Sequence, residues 1–272
     1  MGTWEALTLG IVQGLTEFLP VSSSGHLVVA QALLGFREPV LFFDVMVHLA
    51  TLGSLAAVFR AELAWLWRSI RPAPLGRTSN LNPAKRVEGR RFVFLLFVGM
   101  VPTVVIGLLF LHPLERLFAE PARVGAMLMV TGLLLWATRR LQPGRRRMEA
   151  MGWSDALLIG AVQGCALVPG ISRTGATIAV ALFLGLEREL AARYSLLLGI
   201  PAIGGAVMLG AFKGGLSPTG LGPILIAMIL AFAMGYVALR IVLRTVAAGR
   251  LSAFAPYCWL VGLLILIAAA VA

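Results

Sequence analysis

The sequence predicts an all-α integral membrane protein, and three observations support this prediction. Hydrophobic residues make up 59% of the 272 residues and charged residues only 13%, with a mean hydropathy of +0.92. A soluble domain of this length needs more charge to cover its surface, so the lipid bilayer is the expected solvent. Long apolar stretches recur along the chain, and one part of the sequence repeats. Together these features predict six transmembrane helices and two re-entrant helix-break-helix hairpins in an inverted-topology repeat.

Six apolar segments are long enough to cross the membrane, because a hydrocarbon core of about 30 Å requires roughly 20 helical residues. Two of the segments are weaker, since one contains Asp44 and His48 and another contains Arg123 near its end. The six predicted spans are 41–59, 92–111, 122–138, 194–212, 221–239 and 253–272.

Two further apolar regions, 4–36 and 153–186, are interrupted near the middle by Gly, Pro, Ser and Thr. Irregular backbone exposed to lipid is too costly, so each interruption has to be buried in protein or line a watery cavity. Both regions are therefore predicted to be re-entrant hairpins, in which two short helices flank a break.

An internal repeat connects the two hairpins. A shift of 150 residues aligns 5–36 with 155–186 without a gap, and ten aligned positions are identical, including a Gln-Gly pair and a Ser-x-x-Gly motif. The single membrane domain, 1–272, then divides into repeat one (1–138) and repeat two (153–272), each with one hairpin and three spans. An odd number of crossings inverts the second repeat, so the two hairpin tips are expected to meet near the membrane midplane.

Positive charge predicts the orientation of the chain in the membrane. Arginine and lysine cluster in segments 60–91, 139–152 and 240–250, which fall on one side if the six spans alternate. That side is expected to be the cytoplasm, with a flexible loop over 71–91, and both termini are then periplasmic. The opposite side carries fewer cations: Arg37, Arg116 and Lys213. Because the clusters lie between apolar stretches rather than along one amphipathic face, the net charge of +11 does not indicate nucleic-acid binding.

The first hairpin tip carries several polar and ionisable side chains in the string QGLTEFLPVSSSGH. Gln13 and Glu17 are four residues apart and share one helix face. Pro20 ends that helix, and the serines at 22–24 provide hydroxyls that can cap the next one. His26 lies one helical turn beyond the middle serine, close enough for a Ser–His contact.

The second hairpin tip, PGISRTGAT, places a permanent cation inside the membrane. Pro169 and Gly170 break the first helix, and Ser172 or Thr174 can cap the next one. Nothing nearby in the sequence neutralises Arg173. An ionisable residue within the bilayer is costly, and this cost points to a functional role.

The two tips together predict a binding site for phosphate or diphosphate. Helix N-termini bind anions through free N–H groups and the helix dipole, and a guanidinium suits bidentate phosphate contact. Glu17, His26 and the serines add the groups that acid–base or nucleophilic catalysis needs. Each has a structural alternative, because Glu17 could serve only as an ion-pair partner of Arg173 and His26 could bond a carbonyl. The serines could likewise only cap helices.

Both strings resemble the signature motifs of the undecaprenyl-diphosphate phosphatase family, also called bacitracin-resistance proteins. The family's (E/Q)xxxE motif appears at 13–17 and runs into PVSSSGH, and its PGxSRSxxT motif appears at 169–177. The resemblance covers the whole chain in length and span layout. It implies hydrolysis of the polyprenyl lipid undecaprenyl diphosphate to undecaprenyl phosphate at the periplasmic face of the bacterial inner membrane, which recycles the lipid carrier for cell-wall synthesis. The sequence does not determine the oligomeric state, and a homodimer stays open.

The resemblance also implies a divalent cation, Mg²⁺ or Ca²⁺. The first carboxylate position of the motif is Gln13 here, which leaves Glu17 as the only acid of that pair and as the expected metal ligand. Because Mg²⁺ usually takes one or two carboxylates together with phosphate oxygens and water, the substrate would supply most of the ligands. A second departure from the motif, Thr174 in place of serine, keeps the hydroxyl.

These residues give a mechanistic hypothesis. Arg173 and the backbone amides of both tips hold the diphosphate, and Ser23 or a water attacks the terminal phosphorus. His26 and Glu17 handle the proton, while Arg173 stabilises charge on the phosphoryl oxygens. The remaining substrate-binding candidates all lie at the two tips: Gln13, Ser22, Gly170, Ser172, Thr174 and Thr177.

Two other classes of protein fit parts of the pattern. An anion transporter or a flippase for polyprenyl phosphate would use the same midplane site, and an inverted repeat suits either of them equally well. A structural scaffold is disfavoured, because it leaves the intramembrane arginine unexplained. Phosphate release by purified protein in detergent, with no gradient present, separates the enzyme from the transporter.

Overall fold

The computed structural model describes residues 2–36, 41–71, 82–110, 121–213 and 221–271, apart from the side chains of 41, 121 and 211–213. Arg37, Arg116, residues 72–81 of the predicted loop and the side chain of Lys213 therefore lie outside the described residues. Within the described ranges the chain forms helices and turns without a strand. The α-helices in chain order are α1 (Thr3–Phe18), α2 (Ser23–Leu33), α3 (Leu41–Val58), α4 (Arg60–Ile70), α5 (Pro83–Leu109), α6 (Pro121–Ala137), α7 (Trp153–Cys165), α8 (Arg173–Phe183), α9 (Arg188–Lys213), α10 (Leu221–Ala247) and α11 (Ala255–Val271).

Several helices have the length and apolar character needed to cross a bilayer, which confirms an all-helical, multi-pass membrane protein. Among the described residues four helices meet both requirements alone: α5, α9, α10 and the segment Leu251–Val271, which contains α11. Helix α3 qualifies only together with α4, from which it is bent by 77°. Helix α6 is apolar but only 17 residues long. Large apolar side chains such as Leu108 and Leu264 face outward, as contact with lipid tails requires.

Each predicted hairpin region contains two helices separated by a break. In the first region α1 stops at Phe18 and α2 starts at Ser23. In the second region α7 stops at Cys165 and α8 starts at Arg173. Pro20, Pro169 and Gly170, which predicted the interruptions, therefore lie between the helices.

Serine caps begin the second helix of both regions. Ser22 Oγ accepts a hydrogen bond from Gly25 N at 3.4 Å, and Ser172 Oγ accepts one from Gly175 N at 3.1 Å. Each bond satisfies a backbone N–H that has no partner within the helix. Because the two caps are 150 residues apart, the repeat seen in the sequence extends to the local structure.

Glycines hold the first helix of each region close to a neighbouring helix. Helix α1 packs against α10, and Gly10 and Gly14 let the backbone of α10 approach closely. Helix α7 packs against α5 through Gly160 and Gly164, which are the equivalent positions of the repeat. Small residues four apart are common where membrane helices pack closely. The repeated glycines thus fix where both regions sit in the bundle.

The prediction of a flexible loop over 71–91 is wrong for its last part, because α5 already begins at Pro83. Helix α4 packs on this part of α5. Arg86 and Arg90 donate to the Ser69 carbonyl near the end of α4, at 3.4 and 3.0 Å. Cations at a helix C-terminus satisfy its free carbonyls and offset the negative end of its dipole. These two arginines therefore stabilise a helix end.

The arginine-rich linker before α7 is anchored as well. Arg146 donates to both carboxylate oxygens of Asp155, at 3.2 and 2.6 Å, and to the Leu184 carbonyl at 2.8 Å. Asp155 lies in the first turn of α7, and Leu184 directly follows α8. One guanidinium therefore fastens both ends of the second helix pair, with the bidentate geometry that arginine provides.

Replacing Gly160 with alanine is expected to lower the thermal stability of the purified protein. A Cβ at this position would overlap the Gly99 carbonyl of α5, so the two helices would have to separate. Overpacking of this kind costs about 1–3 kcal/mol. Thermal unfolding in detergent, followed by circular dichroism, measures the loss. Gly205→Ala is the matched control, since a Cβ there meets nothing within 4 Å. Equal destabilisation of the two variants would contradict the close packing of α7 on α5.

Candidate active site

A buried ion pair joins the two helix pairs. Arg173, the first residue of α8, places Nη2 2.7 Å from Glu17 Oε1 near the end of α1. The side chains are 18% and 5% exposed, so bulk water screens neither charge well. Arg173 Nη1 also donates to the Gly199 carbonyl of α9 at 3.2 Å. The pairing that the sequence offered as the structural alternative for Glu17 is therefore present in the fold.

Three further side chains surround the same carboxylate. Glu17 Oε2 accepts from Gln13 Nε2 at 3.0 Å and from Ser23 Oγ at 2.7 Å. His48 Nε2 of α3 lies 3.7 Å from the same oxygen. No sequence motif assigns a role to His48, which in the sequence only weakens a predicted span. In the structure His48 lies beside Glu17, in the centre formed by Glu17, Arg173, Gln13, Ser23 and His48.

Ser23 and Arg173 occupy equivalent positions of the repeat, 150 residues apart, and each is the first residue of its helix. Each binds Glu17, and each takes a different carboxylate oxygen. The position equivalent to Glu17 in the second repeat is Leu167. The centre therefore combines two related helix starts around a carboxylate that only the first repeat supplies.

Side-chain hydrogen bonds connect the two breaks to each other and to α6. Ser22 Oγ accepts from Gly170 N at 3.1 Å, so the amide predicted to bind substrate at Gly170 is already engaged. Thr131 of α6 donates to the Gly170 carbonyl at 2.9 Å and accepts from Ser172 N at 3.1 Å. The backbone at Ser22 and Gly170 has φ values of +69° and +95°, which these contacts hold in place. A lone threonine in an apolar span carries no sequence signal, so Thr131 was missed.

Backbone amides at the start of α2 and α8 stay available for an anion. The N–H groups of Ser23, Ser24, Arg173 and Thr174 bond no acceptor within the described part of the chain. They belong to the first two residues of each helix, where a helix has no internal partner for its amides. Helix starts of this kind attract negative charge.

The remaining predicted hydroxyls of the second tip face protein backbone. Thr174 Oγ1 donates to the Glu17 carbonyl at 3.5 Å, and Thr177 Oγ1 donates to the Arg173 carbonyl at 2.9 Å. Ser172 Oγ is the helix cap. All three are buried. In this arrangement they shape the start of α8 around Arg173.

His26 lies one turn into α2, but it does not bond Ser23. Its Nδ1 lies 2.9 Å from the Ser22 carbonyl oxygen, and its Nε2 lies 2.8 Å from Tyr257 Oη of α11. Ser23 donates to Glu17 instead. The Ser–His contact predicted from spacing is therefore wrong, and the carbonyl contact offered as the alternative for His26 is present. No motif in the sequence marked Tyr257.

The centre offers a small set of oxygen ligands for a divalent cation. No group of three or more His, Cys, Asp or Glu side chains able to hold a metal occurs among the residues described. Glu17 supplies a carboxylate, and Gln13 Oε1 beside it is a buried oxygen without a hydrogen-bond partner. This donor set fits a hard cation that takes its other ligands from phosphate oxygens and water.

The fold and this centre define a class of protein, namely a multi-pass membrane protein with a buried ion pair between two broken helix pairs. Over residues 6–264 the chain matches the family described as Bacitracin resistance protein BacA. The chain belongs to this family.

Three similar relatives carry the name undecaprenyl-diphosphatase. The protein from Desulforapulum autotrophicum is 46% identical and covers 100% of both chains. The relative from Desulfatibacillum aliphaticivorans is 43% identical over 97% of this chain and 98% of its own. A third, from Desulfosudis oleivorans, is 46% identical over 95% of each chain. The likeness thus extends through both tips and all the helices around them.

The Thr131 hydroxyl is expected to contribute about 1–3 kcal/mol to stability, because Thr131→Val leaves a buried carbonyl and a buried N–H without that partner. Thermal unfolding in detergent measures the effect. Thr138→Val is the control, since Thr138 is also buried, but within the described ranges its hydroxyl bonds only the nearby Leu135 carbonyl. If Thr131→Val unfolds at the same temperature as the control variant, the bridge between α6 and the second tip is unimportant.

Proposed function

We propose that the protein hydrolyses undecaprenyl diphosphate to undecaprenyl phosphate and inorganic phosphate, and so recycles the lipid carrier for peptidoglycan synthesis. The family and the name shared by its relatives support the substrate. One structural observation supports the chemistry. A buried carboxylate, Glu17, is bound by the Arg173 guanidinium on one oxygen and by the Ser23 hydroxyl on the other. A cation for phosphate, a proton acceptor and a nucleophile are thereby adjacent.

The proposed architecture is an inverted-topology repeat with six spans (α3, α5, α6, α9, α10 and α11) and two re-entrant hairpins. The equivalent serine caps and the equivalent glycine contacts of the two repeats support it. The arginine clusters in 60–91, 139–152 and 240–250 favour a cytoplasmic position for that side. Both termini and the opening of the site then face the periplasm of the bacterial cell membrane.

The diphosphate group binds between the starts of α2 and α8 in this proposal, while the polyprenyl chain stays in the bilayer. The free amides of Ser23 and Ser24 approach it from one helix, and those of Arg173 and Thr174 from the other. The positive ends of two helix dipoles then face the same anion. The Arg173 guanidinium adds charge-assisted hydrogen bonds to the phosphoryl oxygens, and these strengthen as charge builds there in the transition state.

The proposed reaction begins at Ser23. Its Oγ forms a bond to the terminal phosphorus, and the bond from phosphorus to the bridging oxygen breaks, which releases undecaprenyl phosphate. The proton of the Ser23 hydroxyl moves to Glu17 Oε2, which lies 2.7 Å away and already accepts it in a hydrogen bond. The distance supports Glu17, rather than His26, as the base for this step.

Water completes the cycle in the second step. Its oxygen bonds to the phosphorus of phosphorylated Ser23, and the bond between phosphorus and Oγ breaks. Glu17 returns the first proton to Oγ, and His26 takes the proton that the water loses and passes it to solvent. The products of this step are inorganic phosphate and the free Ser23 hydroxyl. If water attacks the substrate directly, the same carboxylate accepts its proton.

A divalent cation, Mg²⁺ or Ca²⁺, belongs to the proposal. Glu17 and Gln13 Oε1 would hold it together with oxygens of the diphosphate. When bound, the cation supplies positive charge that offsets the phosphate oxygens and makes the terminal phosphorus easier to attack.

Replacing Arg173 with alanine is expected to lower phosphate release from undecaprenyl diphosphate by about a hundredfold or more, because charge on the phosphoryl oxygens loses its guanidinium. Purified protein in detergent, with no gradient present, is assayed for inorganic phosphate. An Arg173→Ala variant with normal turnover would contradict the proposed site. Unmodified protein that binds the lipid but releases no phosphate would instead favour a transporter.

Two further variants help to interpret the loss of activity in Arg173→Ala. Removing one partner of a buried ion pair can cost about 3–5 kcal/mol, so folding is checked by size-exclusion chromatography. Arg173→Lys keeps the charge without the bidentate fork, and it should retain more activity than Arg173→Ala. Arg140→Ala removes an exposed arginine outside the centre and should leave turnover unchanged.

Trapping the reaction tests the identity of the nucleophile. Rapid acid quenching with substrate labelled at the terminal phosphate should leave label on the peptide that contains Ser23, and Ser23→Ala should abolish the label with nearly all turnover. Ser24→Ala is the control, since it keeps the backbone amide and, among the described residues, the Ser24 side chain hydrogen-bonds only the Ser22 hydroxyl, at 3.4 Å. Near-normal turnover in Ser23→Ala, with no label in the unmodified protein, would establish water as the nucleophile.

A further inference from the structure

The first tip fixes the tautomer of His26. Nδ1 lies 2.9 Å from the Ser22 carbonyl oxygen, and a carbonyl can only accept a hydrogen bond. Nδ1 therefore carries a proton in every charge state. In the neutral ring Nε2 is then the bare nitrogen, and it is the position at which His26 can accept a proton.

Tyr257 meets that nitrogen directly, with Oη 2.8 Å from Nε2. A phenol can donate to the bare nitrogen of the neutral ring, and it can accept from the N–H of the protonated ring. The imidazole and phenol rings are nearly parallel, with planes 9° apart and centroids 5.6 Å apart. The contact therefore controls both the direction of Nε2 and the plane of the ring.

The position of Tyr257 in the fold strengthens the contact. Tyr257 lies in the first turn of α11, where the neighbouring Cys258 donates to the Pro20 carbonyl of the first tip at 3.5 Å. Helix α11 thus contacts the tip at two adjacent residues, Tyr257 and Cys258. Tyr257 is 44% exposed on a helix that otherwise consists of apolar residues. A phenol hydroxyl at a lipid-facing surface requires a partner, and His26 provides it.

We infer that Tyr257 relays a proton to His26 during the hydrolysis of the lipid diphosphate. Its hydroxyl occupies the one lone pair of neutral Nε2, so a proton reaches His26 through the phenol. Tyr257 Oη takes the proton that the attacking water loses as its own hydroxyl proton passes to Nε2, and the phenol is unchanged at the end of the step. The inference rests on the proposed function, in which His26 removes the proton of the attacking water.

Tyr257→Phe tests this role because it removes the hydroxyl and keeps the ring. We expect kcat for phosphate release to fall about tenfold, with KM within twofold and the unfolding temperature in detergent unchanged. Tyr236→Phe is the matched control. Tyr236 is 38% exposed on α10, and its hydroxyl makes no hydrogen bond within the described ranges. Turnover of this control should equal that of the unmodified protein. A lower unfolding temperature for Tyr257→Phe with normal kcat would show a structural contact only and overturn the inference.

A double-mutant comparison shows whether Tyr257 acts through His26. His26→Gln alone should lower kcat, and adding Tyr257→Phe should cause no further loss, because the partner of the hydroxyl is already gone. A further tenfold loss in the double variant would overturn the inference and leave the role of His26 standing. Normal turnover in His26→Gln would instead remove His26 from the proposed reaction, and the inference with it. Failure of the proposed function as a whole is a separate result, since unmodified protein would then release no phosphate.

Discussion

The ion pair between Glu17 and Arg173 is the interaction on which the rest of the structure depends. A charge in a low-dielectric interior is strongly unfavourable unless an opposite charge and hydrogen bonds surround it. These two residues lie on helices α1 and α8, from different repeats, so the pair forms only if both helix pairs reach the same depth of the bundle. The glycine contacts of α1 and α7 allow both helix pairs to reach that depth, because they let each helix approach its neighbour closely.

The two breaks inside the bundle leave backbone groups without a hydrogen-bond partner in their own helix, and the fold supplies partners for only some of these groups. Ser22 and Ser172 cap the following helices, and Thr131 bridges a carbonyl and an amide of the second tip. The amides at the starts of α2 and α8 remain without acceptors within the described residues. These unsatisfied donors, next to a guanidinium, are the groups that the proposed diphosphate site uses. In that proposal stability and anion binding arise from the same two breaks.

The two repeats share their backbone plan but differ in chemistry. Ser23 in the first repeat corresponds to Arg173 in the second, and both bind the same carboxylate. Glu17 corresponds to Leu167, so the second repeat supplies a cation and no acid. The counterpart of Gln13 is Gln163, which donates a hydrogen bond to Thr103 of α5. Within the described residues Gln163 bonds no carboxylate. Two related helix pairs thus place an asymmetric set of groups, as the proposed reaction, with a nucleophile on one side and a cation on the other, requires.

The sequence by itself determined the membrane class and the two breaks. It also predicted that hydroxyl side chains cap the following helices and that the two tips meet, with an ion pair between Glu17 and Arg173 as one alternative. These predictions follow from a local rule or from the repeat: the length of apolar runs, the backbone limits of Pro and Gly, capping by Ser and Thr, and the inversion predicted from an odd number of spans. Helix α4 was not predicted, because its charged residues placed it only in the basic segment 60–91. Only the tertiary structure decided that Ser23 bonds Glu17, and that His26 faces Tyr257 on a helix 231 residues away. Spacing within one helix defines which side chains share a face, but the partner of that face depends on how distant helices pack.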